Sequence, residues 1–231
     1  GVLHQALDVA VNRSIIAKNP ANDVTLPKRT ATPKTILNDE QLERFMAAIK
    51  ADDLGHDFFY LEITTGLRRG ELCGLMWSDF DEQKGTLSIR RTLHTKAGGG
   101  YYVGDTKTGT GRRIIKLPPS TVQLLAERKK KSISQWIFHN PIHPEDPVMP
   151  NSGYHRMKKI MKDAGLPNMR FHDLRHTFAT HALTSGVDAK TLSGILGHTN
   201  ASFTLDTYTH MTTEMQKKAS GIVGNFLDEI M

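Results

Sequence analysis

The chain has 231 residues, 38% of them hydrophobic and 23% charged, with 10 prolines and 19 glycines. That composition excludes disordered, collagen-like and fibrous chains and leaves room for one large domain, or a domain with a fragment beside it. No apolar run reaches the ~18 residues of a bilayer span, and the first residues lack the basic start and apolar stretch of a secretory signal. The single Cys73 can form neither an internal disulfide nor a cysteine metal cluster, so a cytoplasmic protein without a membrane partner is expected. The formal charge is only +6, but residues 84–131 hold 12 basic and 2 acidic side chains, whereas residues 39–82 hold 4 basic and 11 acidic ones. The basic segment suits either a polyanion such as nucleic acid or a solvated basic face, and charge alone does not separate the two.

In chain order, Val2, Ala6, Val9 and Ala10 recur at helical spacing before Asn19-Pro20 ends the pattern. Residues 24–37 follow with two prolines and no apolar period, which reads as a linker with a domain boundary near Ala31. Asn38, with Gln41 three residues on, is a capping-box start for a helix carrying Leu42, Phe45, Met46 and Ile49. A second helical run, HDFFYLEITT, stops at Gly66, and RRGELCGLMW resumes helical spacing. From Thr86 the period changes: TLSIRRTL and RRIIKL are short and β-branched, separated by a Gly-rich stretch, and predict one small antiparallel sheet with a long hairpin. Ser120 with Gln123 predicts another capped helix. Five more helices are expected at about 152–165, 172–185, 188–197, 200–208 and 213–229. The predicted fold class is mixed α and β, mainly α-helical, with a small antiparallel sheet.

The chemistry concentrates in two places. In FHDLRHTFATH, His172 and Arg175 are three apart on one helix face, so an imidazole and a guanidinium can converge on one oxyanion. In TTGLRRGEL, Arg68 follows the Gly66 break at a helix start, where free backbone N–H groups already favour phosphate. Arginine suits the role because its fixed fork of donors matches phosphate oxygens and stays charged. Each residue also has a plainer reading: Arg68 as a partner of Glu71, His198 as a helix C-cap residue after Gly197, Tyr208 as a half-buried aromatic, and Lys107 as an exposed turn lysine. His172 and His176 have metal-ligand spacing, yet neither the glutamate of HExxH nor a nearby cysteine accompanies them, so no metal or other cofactor is expected. A non-catalytic DNA-binding module built on the helices at 152–165 and 172–197 is the principal non-enzymatic reading.

Taken together and in order, TTGLRRGEL, DTKTGTGRRIIKL, HDLRHTFATH, LGH and LDTYTH resemble the catalytic domain of the tyrosine recombinases, the phage-integrase and Xer-type family. The likeness runs from about residue 35 to the last residue and leans toward integrases of Gram-positive mobile elements. It implies a DNA strand transferase, independent of metal and ATP, that works through a covalent 3′-phosphotyrosine. Arg68 and Arg175 would clamp the scissile phosphate, with His172 and His198 as its hydrogen-bonding and proton-transfer partners. Lys107 would be the general acid, with Lys96 on the other hairpin arm as the alternative, and Tyr208 the nucleophile. The resemblance further implies that residues 1–30 are the tail of a core-binding domain and residues 31–231 the catalytic domain. Double-stranded DNA would be the partner of a homotetramer, alongside accessory DNA-bending or excision factors. The C-terminal helix would pack on its own domain or on a neighbouring protomer.

Lys96, Arg112, Arg113, Arg156, Lys158 and Lys159 are expected to contact DNA phosphates. The basic segment 84–131 is expected to face DNA, and the acidic residues of 39–82 to lie largely on the outer surface, away from the duplex.

Overall fold

A computed structural model describes residues 1–25, 34–53, 55–105 and 111–198. The chain divides into two units, residues 1–33 and 34–231. In the first, α1 (Val2–Asn12) is followed by a loop that Asn19 folds back onto it. The Asn19 amide donates to the His4 carbonyl at 3.0 Å and to Asp8 Oδ1 at 2.6 Å.

The second unit begins its regular structure with α2 (Asp39–Lys50), capped as its sequence predicts. Asn38 Oδ1 accepts from the Gln41 N–H at 2.8 Å, and Gln41 Oε1 accepts from the Asn38 N–H at 3.1 Å. Helix α3 (His56–Thr65) is apolar around most of its circumference, and a helix of that kind belongs inside. Its Phe58 meets Phe59 and Phe138 edge-on, with ring centroids 5.2 and 5.1 Å apart. Gly66 ends α3 in the left-handed conformation, φ 60°. A Cβ there would lie 2.3 Å from Phe178 Cδ1, so glycine is required on two counts. The short α4 (Arg69–Cys73) follows, then a 3-10 turn at Trp77–Asp79.

The β region departs from the predicted single sheet. Strands β1 (Phe80–Asp81), β2 (Thr86–Ile89) and β5 (Arg113–Lys116) form one antiparallel sheet in the order β1-β2-β5, and β3 (Arg91–Thr95) with β4 (Tyr101–Asp105) forms a separate ribbon. Arg90 is the break between β2 and β3. Arg91, the first residue of β3, turns inward to the buried Asp79 carboxylate and to the Gly74 carbonyl, 3.2 Å away. The alternation of strand residues therefore continues on a different plane. Leu87, paired with Ile115, serves the first sheet, and Leu93, paired with Val103, serves the ribbon.

Helix α5 (Pro119–Lys130) starts one residue before the predicted cap. Pro119 occupies its first position, where a missing N–H costs nothing, and the Ser120 hydroxyl instead accepts from the Tyr60 phenol at 3.0 Å. After α6 (Pro150–Asp163) come α7 (Phe171–Thr184) and α8 (Ala189–Leu196), the latter capped by Asp188, whose Oδ1 accepts from Thr191 N–H at 2.9 Å. Ala179, Leu183, Leu192 and Leu196, with Phe178 against them, form a small apolar cluster that fastens α8 to α7. That contact brings the C-terminal end of α8 to the turn at Gly66. The helices expected at 200–208 and 213–229 lie outside the described residues.

No described helix is long and apolar enough to cross a membrane. Most acidic residues of 39–82 are exposed or half-buried, but Glu62, Glu71 and Asp79 depart from the expected outer surface and are buried. Glu71 and Asp79 earn that position through arginine partners, whereas both carboxyl oxygens of Glu62 lack a hydrogen-bond partner among the described residues.

Candidate active site

The candidate site is built around the last turn of α8. A helix leaves its final carbonyls without intrahelical donors, and the helix dipole makes that end a seat for positive charge. Here three consecutive carbonyls are each taken by a different arginine. Arg113 Nε donates to Ile195 O at 2.6 Å, an Arg175 terminal N–H to Leu196 O at 2.7 Å, and an Arg68 terminal N–H to Gly197 O at 2.9 Å. The three come from β5, from α7 and from the residue that caps α4. One helix end thus collects guanidinium groups supplied by three distant stretches of sequence.

Arg175 is the deepest of them, with only 2% of its surface exposed, and its other terminal nitrogen donates to Gly66 O at 2.8 Å. It is thereby strung between the end of α3 and the end of α8. Burial and then the nearby Arg68 charge lower its pKa to about 10, so it remains a cation at neutral pH. Arg68 is held differently. Its backbone N–H donates to Glu71 Oε2 at 3.0 Å and its guanidinium to Glu71 Oε1 at 2.8 Å, the geometry expected of residues three apart at a helix start. Its side chain is 40% exposed, so part of the guanidinium faces solvent. Glu71 also receives both terminal nitrogens of Arg113, at 3.1 and 2.8 Å. Burial opposes ionisation of Glu71, but Arg113 and Arg68 outweigh it and hold the carboxyl below its usual range.

His172 lies one helical turn before Arg175 on α7, and His198 directly follows the left-handed Gly197, its N–H bonded to Ser193 O at 3.0 Å. Desolvation by the surrounding chain, then the Arg175 charge, lowers each ring to a pKa of about 4, though His172 is exposed and His198 half-buried; Arg68 contributes to both. Both imidazoles are therefore neutral at physiological pH. His176, edge-on to His172 with centroids 4.8 Å apart, is lowered to about 3 by its burial and by His172 and Lys34. The arrangement is a positively charged cluster with two neutral imidazoles beside it. An anion approaching it would meet pre-aimed donors and would raise the proton affinity of both rings.

The structure thus brings together Arg68, Arg175, His172 and His198. Lys107 and Tyr208 lie outside the described residues. Among the expected phosphate contacts, Lys96 is exposed at the start of the β3–β4 turn, and the exposed Arg112 pairs with Asp105 at 3.0 Å. The Arg113 side chain is 7% exposed, and its donors go to Glu71, Ile195 and Gly111 within the protein. Arg156 grips Asp52 through Nε and a terminal nitrogen at 2.8–3.0 Å, and Lys158 bonds to Met169 O at 2.8 Å and to the Asn168 side chain. Both hold α6 to its surroundings. Lys159 is exposed and paired with Asp163 one turn along the same helix at 2.6 Å. Glu71 as the shared carboxylate, and Arg113 as its second partner, are the site residues that sequence reasoning missed. The i, i+3 spacing from Arg68 signals the first, but nothing local signals the second.

The fold and this arginine–histidine cluster define a member of the phage integrase family, whose model matches residues 35–215; the chain belongs to that family. It is 29% identical over 91% of its length to a XerC-like tyrosine recombinase of Caldanaerobacter subterraneus subsp. tengcongensis, and 30% identical over 88% to the transposase of transposon Tn916 from Enterococcus faecalis. It spans 60% and 55% of the lengths of these two relatives. Among solved structures, the Tn1549 transposon integrase in complex with a circular intermediate DNA superposes with a TM-score of 0.74 at 26% identity, covering 93% of this chain and 76% of that one.

Proposed function

We propose that this chain is the catalytic part of a site-specific DNA recombinase, an integrase that cuts and rejoins DNA during insertion or excision of a mobile element. The observation that carries the reading is the convergence of Arg68, Arg175, His172 and His198 at the end of α8. Family membership and the DNA complex of the Tn1549 integrase support it.

Phosphodiester transfer passes through a five-coordinate state in which negative charge grows on the equatorial oxygens. Arg68 and Arg175, anchored on carbonyls that leave them little freedom to move, would stabilise that charge as it develops. Tyr208 would attack phosphorus through its phenolic oxygen. With a reference pKa of ~10 it needs a proton acceptor, and the neutral His172 ring can serve, its proton affinity raised by the bound phosphate. The P–O5′ bond would break as the P–O(tyrosine) bond forms, and Lys107 would protonate the departing 5′ oxygen. His198 would hydrogen-bond the same phosphate. The phosphotyrosine keeps the energy of the broken ester, so rejoining to a different 5′ hydroxyl reverses the steps without ATP. Two arginines supply the charge stabilisation that a divalent ion supplies in other phosphoryl transfers, so cleavage is expected to proceed in EDTA.

The unit at residues 1–33 reads as the tail of a core-binding domain, joined to the catalytic unit that begins at Lys34. Each protomer would cut one strand, so exchange between two duplexes calls for four. Electrophoretic detection of a covalent protein–DNA adduct on a nicked substrate in EDTA tests the mechanism. Wild-type protein should form the adduct, and Tyr208→Phe should bind the same DNA and form none. An adduct that survives the substitution, or that EDTA abolishes, would overturn the mechanism.

A further inference from the structure

We propose that Arg113 is a positioning residue for phosphate cleavage: it does not touch DNA but locks Glu71 and the last turn of α8 into the arrangement on which Arg68, Arg175 and His198 depend. The proposal rests on the recombinase reading above and adds to it a residue whose basic neighbourhood suggests a different role. Three features of its placement carry it.

The first is enclosure: Arg113 is 7% exposed and its Nε and both terminal nitrogens donate to Ile195 O, Glu71 and Gly111 O, whereas Arg68, on the other side of the same carboxylate, is 40% exposed. The second is the division of its donors. Nε goes to Ile195 O, while both terminal nitrogens go to Glu71, so one rigid fork joins α8 to α4. Glu71 would otherwise be a buried carboxylate with Arg68 alone to neutralise it, free to draw that guanidinium inward and away from its open face. The third is the fit at Gly197, where a Cβ would lie 2.7 Å from an Arg113 terminal nitrogen. The glycine that turns the chain toward His198 also admits the arginine that holds it. Arg113 opens β5, so the same fork ties the first residue of that strand to α4 and α8.

A lysine at this position would keep the charge but could not reach Glu71 and Ile195 O together. With DNA affinity, its salt dependence, and single-turnover adduct formation measured side by side, Arg113→Met, which removes the charge, should keep the wild-type salt slope, and so should Arg113→Lys. The lysine variant should form adduct about 100-fold more slowly, the scale of loss expected when reacting groups are misplaced by an ångström. Arg113→Met combined with Glu71→Gln leaves no buried unpaired charge and should be no slower than Arg113→Met alone, because the two act as one unit.

A salt slope reduced by about one in Arg113→Met would make Arg113 a phosphate ligand instead and overturn the proposal. Wild-type rates in Arg113→Lys, or losses that multiply in the double variant, would also overturn it. A histidine NMR spectrum of the free protein gives a readout independent of the reaction. Arg113→Lys should move the His198 ring signals and leave those of the exposed His143 unchanged, and an unmoved His198 would end the proposal even if Tyr208→Phe had already refuted the recombinase mechanism.

Discussion

Two buried ionisable residues make opposite demands on pH. His176 is 7% exposed and its pKa is lowered from 6.5 to about 3, so the unfolded chain binds more protons than the folded one between those values. Stability should therefore rise with pH across that window and level off above about 6.5, by up to about 3 kcal/mol between pH 4 and 6.5. Glu62 is the reverse. Complete burial raises its pKa well above 4.5 despite the counteracting Arg175, so its contribution is present below about pH 4.5 and is lost as pH climbs toward the folded value. Because the two slopes partly cancel in the wild type, single variants are needed to read them. Urea midpoints from pH 4 to 8.5 should show the rising limb, to which His172 and His198 also contribute, made shallower in His176→Asn and the decline at higher pH removed in Glu62→Gln. Unchanged profiles in both variants would refute the assignment. The amide at position 62 is expected to cost little at pH 5, because a neutral carboxylic acid already occupies that place.

Among the elements, the end of α3 is the least tolerant. Gly66 has φ 60°, packs under Phe178, and presents the carbonyl that anchors Arg175. Gly66→Ala should destabilise the protein by roughly 2 kcal/mol or more, through backbone strain plus overpacking, and should slow adduct formation in whatever fraction stays folded. By contrast, Asn38→Ala removes a reciprocal cap at the exposed start of α2 and should cost about 1 kcal/mol with cleavage unaffected. Denaturant titration together with the adduct assay distinguishes the two cases. A Gly66→Ala protein of wild-type stability would contradict the close packing described here. The α8 terminus has the same character, since its three carbonyls serve as a template and a shift of that helix would displace all three guanidiniums at once.

For the molecule as a whole, net charge is a poor guide to where DNA would lie, because many basic residues are committed to internal partners. Arg91, Arg113, Arg128 and Arg156 each hold a carboxylate, and Arg128 also reaches the Ile137 carbonyl. Exposed Lys96 and Arg112 remain candidates for the duplex. Binding to a duplex should weaken steeply with salt, and replacing either Lys96 or Arg112 by alanine should reduce the slope by about one if it meets a phosphate. Arg156→Ala should instead leave the slope alone and lower the melting temperature, since it leaves Asp52 unpaired. A slope change in Arg156→Ala with no loss of stability would reverse that assignment.

Local chemistry made much of this legible from the residues alone. The Asn38 capping box, the Gly66 stop and the 3.6-residue period of α2, α3, α6, α7 and α8 depend on neighbours a few positions apart, and they appear within two residues of where spacing puts them. The His172–Arg175 pair was legible for the same reason, because one helical turn joins the two residues. What spacing could not reveal was which charges face inward. A sequence places Arg113 in a basic run and Glu71 in an acidic one, yet the two meet across 42 positions in the chain. The split of the β region followed a side-chain decision of this kind, Arg91 turning to a buried Asp79. Propensity and period report on contacts within a turn or a strand, whereas the pairing of buried charges is settled by which surfaces close over them. The sequence therefore determined the described helices and the family, and it named candidate reactive groups. Tertiary packing alone decided that three arginines from separate stretches would share the end of one helix.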